Sequence, residues 1–196
     1  MAALFSDYGT VLMLEREGRL GYHTTGWSAA LLTTNYGNPT ISRLTEASRL
    51  FLETPPGDFS DTTLISPHGI LTVAREDQVL SYVKSLAMAD ETQADICEVD
   101  VMEVQKIYPI MRRGYFERGM YMDVNAIHTG FLRQLKRNGR TMLCGVEVFS
   151  LERKKGFWVA HPLGGLHSAP ILGNTAGAWP DQVGALAGVI SIGSIP

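Results

Sequence analysis

The chain has 196 residues, enough for one domain with a sizeable core or for two small lobes. Hydrophobic residues at 45% and charged residues at 19% are typical of a globular protein and exclude a disordered one. A net charge of −3 with scattered basic residues gives no reason to expect a nucleic-acid partner. No apolar run approaches the roughly 18 residues that cross a bilayer, and no secretory signal is evident, so we expect a cytoplasmic protein without a membrane span.

The chain contains two cysteines, Cys97 and Cys144, far apart in the sequence. We expect both to be reduced and buried as small hydrophobic side chains rather than joined in a disulfide. The five histidines show no zinc-ligand spacing with these cysteines, so we predict no metal site.

The first elements are a helix end and a strand. Residues 2–7 are predicted to close a helix that stops near Gly9. The apolar run from Thr10 to Leu14 predicts a strand buried on both faces, which is usual in parallel sheets. Glu15 closes this strand, at the place where a dinucleotide-binding fold has its ribose-binding carboxylate. The small residues that follow would let backbone lie close to a cofactor.

Helices and strands alternate through the middle of the chain. Asn38 and Pro39 predict the start of a helix whose apolar stripe contains Ile41, Leu44, Ala47 and Phe51. Residues 69–74 predict a strand, and Asp77 is expected to cap the helix that follows. Asp100 with Glu103 forms a capping-box pattern for a short helix.

The last third of the chain is predicted to be mainly strands. Residues 116–122 predict a strand, and Asp123 is expected to cap a helix that ends at Asn138-Gly139. Alternating apolar residues from Met142 to Val148, then residues 157–159 and 169–172, predict further strands, before a helix over 181–189.

Two motifs carry a family resemblance. The run LEREGRLGYHTTGWSAA, residues 14–30, resembles the segment after the second strand in flavoproteins of the D-amino-acid oxidase, glycine oxidase and sarcosine oxidase superfamily. The residues that match in order are Glu15, Gly21, Thr25, Gly26, Ser28 and Ala29. Trp27 departs from the pattern, because relatives usually have Arg there. Near the other end, residues 174–179, NTAGAW, resemble the motif that follows the three-stranded meander of this family.

The resemblance implies an α/β fold in which a partial Rossmann-like FAD-binding domain is interleaved with part of an antiparallel α+β substrate domain. The FAD-binding domain would comprise residues 1–66 and 123–196, and the substrate domain 67–122. Only 14 residues precede Glu15, and they contain no G-x-G-x-x-G, so the first strand and the Gly-rich phosphate loop are expected to be missing. The implied FAD contacts are Glu15, Arg16, Thr25, Ser28, Ala29, Ala30, Val148, Ala176, Gly177 and Trp179.

The resemblance also implies a reaction. Family members oxidise the C–N bond of an amino acid or amine by hydride transfer to FAD. Their substrate-binding groups lie mostly in a C-terminal half that has no counterpart here, so no catalytic residue is assigned. Two hypotheses stay open: a truncated FAD-dependent oxidoreductase acting on a small-molecule amino acid or amine, and an inactive remnant or interaction domain without flavin. The second would self-associate through uncovered edges.

Overall fold

The computed structural model describes residues 1–92, 94–109 and 114–194, and the predicted α/β class is confirmed. The strands are β1 (Leu12–Glu15), β2 (Leu31–Leu32), β3 (Ile65–Val73), β4 (Ile96–Val99), β5 (Gly114–Met122), β6 (Thr141–Cys144), β7 (Val148–Lys154), β8 (Phe157–Pro162) and β9 (His167–Ala169). The helices are α1 (Ala2–Phe5), α2 (Thr24–Trp27), α3 (Pro39–Glu53), α4 (Val79–Thr92), α5 (Val101–Ile107), α6 (Val124–Arg137) and α7 (Pro180–Leu186).

The chain forms two compact units. The first unit contains residues 1–27 and 131–196, and the second contains residues 28–130. The division into flavin and substrate domains at 66/67 and 122/123 stays a prediction. No helix within the described residues is long and apolar enough to cross a membrane.

The first unit contains two small sheets. Strands β1 and β6 pair in parallel, with Leu12 opposite Thr141 and Glu15 opposite Cys144. Strands β7, β8 and β9 form the predicted antiparallel meander, with an irregularity between Val148 and Ser150. The expectation that β1 is buried on both faces is wrong: Leu12 is exposed and the other three residues are only half-buried. Their pairing in a two-stranded sheet leaves much of their surface uncovered.

The end of α6 holds the N-terminal segment in this unit. The Asn138 side-chain amide donates to the Ser6 hydroxyl and to the Asp7 carboxylate, at 2.7 Å in each case. The Gln134 amide donates to the other Asp7 oxygen at 3.0 Å, and the Arg140 guanidinium donates to the Ser6 carbonyl at 3.0 Å. These four hydrogen bonds fix α1 and the start of β1 relative to α6.

The second unit is built on an antiparallel sheet with β5 at its centre. Strand β3 pairs along the whole of β5, while β2 and β4 pair with opposite ends of its other edge. The core contains Leu64, Tyr82 and Val104, none more than 5% exposed. The chain thus contains both parallel and antiparallel sheets, as the predicted fold class requires.

Most of the helix caps that the sequence predicted are present in the structure. Asn38 accepts hydrogen bonds from the amides of Thr40 and Ile41, and Asp100 does the same for Met102 and Glu103. Asp123 accepts from the amide of Ala126 at 2.8 Å. Asp77 does not cap α4, because its carboxylate pairs with the Arg75 guanidinium and a 3₁₀ turn over Glu76–Gln78 precedes the helix.

The apolar stripe of α3 is only partly covered: Ile41 and Leu44 are 43% and 60% exposed, whereas Ser42 and Leu52 are the buried residues of that helix. The burial expected for the two cysteines is wrong. Cys97 and Cys144 are both exposed, although both are free thiols as expected. Each lies in a short strand near a sheet edge, where apolar neighbours do not cover it.

Candidate functional site

The strongest candidate site lies at the carboxyl ends of the parallel strands β1 and β6. Beyond the last paired residues, the Val146 amide donates to the Glu15 carbonyl at 2.9 Å and the Gly145 amide donates to the Glu17 carbonyl at 2.8 Å. These bonds tie together the loops that leave the two strands. Carboxyl ends of parallel strands are where ligands bind in α/β sheets.

Glu15 is held in place by its own loop. Its carboxylate Oε1 accepts a hydrogen bond from the Glu17 amide at 2.9 Å, and its side chain is half-buried. No protein donor to the second carboxylate oxygen is found within the described ranges. Glu15 therefore presents one fixed oxygen and one available acceptor at the strand end.

A second carboxylate organises the next residues of this loop. Glu17 Oε1 accepts from the Arg16 guanidinium at 3.1 Å and contacts His23 Nε2 at 2.9 Å. Hydrogen bonding from His23, and then from Arg16, lowers the pKa of the Glu17 carboxyl below its usual value. Glu17 is therefore an anion that gathers Arg16 and His23 beside the end of β1.

Trp179 brings the other end of the chain to this cluster. The Arg16 guanidinium carbon lies 5.1 Å from the centre of the Trp179 ring, over its face, and the His23 ring centre lies 4.6 Å from it. A cation over an indole face is an attractive arrangement. The two motifs of the family resemblance, at opposite ends of the sequence, therefore meet in the structure.

The loop before Trp179 has a defined shape. The Asn174 side chain accepts from the Ala176 amide at 3.2 Å and donates to the Pro180 carbonyl at 2.8 Å. Gly177 has a φ of +58°, a left-handed conformation that glycine adopts without strain. Ala176 is half-buried and Gly177 is exposed, so backbone in this loop is accessible to a ligand.

The glycines of the first motif shape the turn that contains Thr25. Gly21 has a φ of +69°, and a side-chain carbon at Gly26 would collide with the Gly21 carbonyl oxygen. Both positions therefore require glycine. Thr25 lies in the short helix α2, directly before Gly26, and its side chain is exposed.

The remaining predicted residues lie elsewhere. Ser28, Ala29 and Ala30 belong to the second unit, where the Ala30 carbonyl accepts from the Met122 amide at 3.0 Å. Val148 begins β7, only two residues beyond Val146, and is half-buried. Within the first unit, the structure thus brings together Glu15, Arg16 and Trp179 of the predicted set.

A buried carboxylate forms a separate cluster in the second unit. Glu117 of β5 is 2% exposed, and its Oε1 accepts from the Thr33 hydroxyl, from the Thr34 amide at 2.9 Å and from the Asn35 amide at 3.3 Å. These bonds hold the turn after β2 against the centre of the sheet. Sequence reasoning did not single out Glu117.

Glu17 and His23 were also missed as site residues, because the histidines were considered only as possible metal ligands. A signal was present: Glu17 follows Glu15 by two residues, and His23 lies inside the glycine-bounded motif. Only the position of Trp179 gives these residues a common role.

Comparison with known proteins identifies the family. Residues 2–193 match the model of the family described as "FAD dependent oxidoreductase". The chain belongs to the FAD-dependent oxidoreductase family. FAD is the cofactor of this family, and the match extends over nearly the whole chain.

Solved structures agree with this fold. The chain is similar to L-α-glycerophosphate oxidase from Mycoplasma pneumoniae, solved with FAD bound: the TM-score is 0.80 and the identity 16%, over 95% of this chain and 53% of that chain. For glycine oxidase from Geobacillus kaustophilus the TM-score is 0.79 and the identity 14%, over 94% of this chain and 53% of that chain. For L-proline dehydrogenase from P. horikoshii the TM-score is 0.80 and the identity 15%, over 97% of this chain and 52% of that chain. The chain spans about half the length of these proteins.

The site fits one part of FAD. A fixed carboxylate with an available oxygen suits the hydroxyls of a ribose, and the exposed Ala176–Gly177 backbone permits close approach of a ligand. The 196 residues contain no G-x-G-x-x-G loop for the pyrophosphate. The first unit thus presents a candidate acceptor for ribose hydroxyls at the end of β1, while the individual cofactor contacts stay predictions.

Proposed function

We propose that the chain contributes the adenosine-binding part of the FAD site in an oxidoreductase. The observation that carries this proposal is the packing of Arg16, which directly follows Glu15 at the end of β1, on Trp179 of the NTAGAW motif. Glu15 would accept hydrogen bonds from the ribose hydroxyls, while Ala176 and Gly177 would allow the cofactor to approach their backbone. Val148 completes the contact set proposed for the adenosine end in the first unit, where its backbone would pair with the adenine, and Thr25 would line the pyrophosphate.

The proposed reaction is oxidation of a C–N bond in an amino acid or amine. Flavin supplies the acceptor for the hydride in such reactions. The role of this chain's own residues is to bind and orient the adenosine end, and no residue is proposed to touch the substrate. Glycine oxidase among the similar structures supports the substrate class. A reducing cytoplasmic location is proposed because both exposed cysteines are free.

Nucleotide binding can be tested through the two exposed thiols. Cys144 lies opposite Glu15 in the β1–β6 register, whereas Cys97 lies in β4 of the second unit. The test measures the alkylation rate of each cysteine by mass spectrometry, with and without ADP. We expect ADP to slow alkylation of Cys144 and to leave Cys97 unchanged, because the ribose would cover the end of β6.

A Glu15→Gln variant completes this test. Loss of a hydrogen bond to a charged group costs about 1.5–3 kcal/mol, so ADP affinity should fall about 10- to 150-fold. Equal alkylation rates at Cys144 with and without saturating ADP would contradict the proposal. So would an unchanged ADP affinity in the Glu15→Gln variant.

A second function, an interaction domain without flavin, is favoured by exposed apolar side chains. In the second unit, Ile41, Leu44, Leu50 and Leu80 are 43%, 60%, 73% and 79% exposed. Such surface favours self-association. Light scattering over a hundredfold range of concentration would then give a mass that rises with concentration, and a constant monomer mass would contradict this alternative.

A further inference from the structure

The loop after β1 contains a carboxylate that the proposed FAD contacts do not use. Glu17 is a quarter exposed, and the same oxygen, Oε1, serves both Arg16 and His23. Its backbone also takes part, because the Glu17 amide donates to Glu15 and its carbonyl accepts from Gly145. This single residue thus contacts the ribose-binding acid, the loop after β6 and the groups packed on Trp179.

Arg16 and His23 are the two partners of the Trp179 ring described above, and Glu17 bonds to both. The His23 ring is further bounded by the edge of Tyr22, with ring centres 5.1 Å apart. Because one oxygen binds both side chains, neither can leave the ring without breaking a charge-assisted hydrogen bond. The 174–179 loop is thereby tied to the end of β1 by side chains.

We propose that Glu17 is a positioning residue of the adenosine site, which holds Arg16 and His23 against Trp179 and so keeps the 174–179 loop beside Glu15. The proposal rests on the proposed function for its effect on nucleotide binding. Glu17 itself contacts no nucleotide. Its removal weakens binding because the two loops must then be ordered at the moment of association.

The chain offers a matched control. Glu152 of β7 accepts from a histidine and a cation in the same way, with His161 Nε2 at 2.8 Å and Lys154 as the second partner. Lys154, and then His161, lower the pKa of the Glu152 carboxyl, as happens at Glu17. This trio has the same chemistry in the same unit but includes none of the described contacts of Trp179.

The first arm of the test measures ADP affinity by calorimetry for Glu17→Ala, Glu17→Gln and Glu152→Ala. Coupling between contacting groups of this kind changes affinity about tenfold, so Glu17→Ala should bind ADP about tenfold more weakly. Glu17→Gln keeps an acceptor of the same length and should recover part of this loss. Glu152→Ala should bind as the unaltered chain does. An unchanged affinity in Glu17→Ala, or an equal loss in Glu152→Ala, would overturn the proposal.

The second arm needs no nucleotide. With Trp27 and Trp158 replaced by phenylalanine, Trp179 is the sole fluorophore of its type. Because Arg16 and His23 pack against the Trp179 ring, Glu17→Ala should expose the ring to water and shift its emission to longer wavelength, whereas Glu152→Ala should leave the emission unchanged. Identical emission in all variants would overturn the positioning role. If the unaltered chain binds no ADP, the proposed function fails, and this arm alone then decides whether Glu17 holds the ring.

Discussion

Replacement of Glu117 by alanine should destabilise the second unit strongly. The carboxylate is 2% exposed and is the shared acceptor for the Thr33 hydroxyl and for the amides of Thr34 and Asn35. Truncation to alanine removes the acceptor of these three donors. Each donor that stays buried without a new acceptor lowers the free energy of unfolding by about 1–3 kcal/mol. Thr34 is half-buried, so water can accept a hydrogen bond from its amide and offset part of this cost. We expect a total cost of about 3 kcal/mol.

The assay combines urea unfolding with amide hydrogen exchange. The free energy of unfolding should fall by about 3 kcal/mol in Glu117→Ala and by about half as much in Glu117→Gln, which keeps a neutral acceptor. Exchange at the Thr34 and Asn35 amides should accelerate about a hundredfold in the alanine variant. Glu46→Gln is the control, because the Glu46 side chain is 58% exposed and its replacement should change stability by no more than about 0.5 kcal/mol. If Glu117→Ala lost less than about 1 kcal/mol, the argument from the shared acceptor would be refuted.

Two further predictions concern other parts of the chain. A side-chain carbon at Gly130 would lie 2.6 Å from two carbons of the buried Phe59 ring, so Gly130→Ala should cost about 1–3 kcal/mol in urea unfolding. Phe59→Leu in the same chain should make Gly130→Ala less costly, and an equal cost in both backgrounds would contradict the steric explanation. Hydrogen bonds from the Ser191 hydroxyl and then the Ile192 amide lower the pKa of Asp181 to about 2, from 3.8. Because this folded-state pKa is depressed, the stabilisation of residues 191–194 is fully present above pH 3.8 and is lost as the pH falls through about 2. NMR titration of the Ile192 and Gly193 amide shifts should follow this range, and a midpoint near 3.8 would contradict the assignment.

Much of the secondary structure could be predicted because its signals are local. Asn38, Asp100 and Asp123 each bond to amides two or three residues away, so their neighbours in sequence suffice to identify a helix start. The meander could likewise be predicted, because apolar and polar residues alternate along its successive strands. The prediction that Asp77 caps a helix was wrong for an equally local reason, because the nearby Arg75 guanidinium donates to its carboxylate.

Burial could not be predicted in the same way. The apolar spacing of Ile41 and Leu44 indicates a helix but does not say which part of the stripe another element covers, and in this structure both side chains are exposed. The burial of β1 and of Cys144 in β6 could not be predicted either, because these two strands form a sheet of only two strands. Periodicity is a property of one segment, whereas burial depends on what packs against it.

By itself, the sequence determined the family, the α/β class and the presence of Glu15 at a strand end, because motifs and hydrophobic patterns lie within short segments. Only the tertiary structure decided that Trp179 meets Arg16 and His23, and that Glu17 joins them. It alone also decided that Glu117 is buried beneath the turn after β2. Contacts between residues far apart in the chain depend on strand pairing and loop closure, which no local pattern encodes.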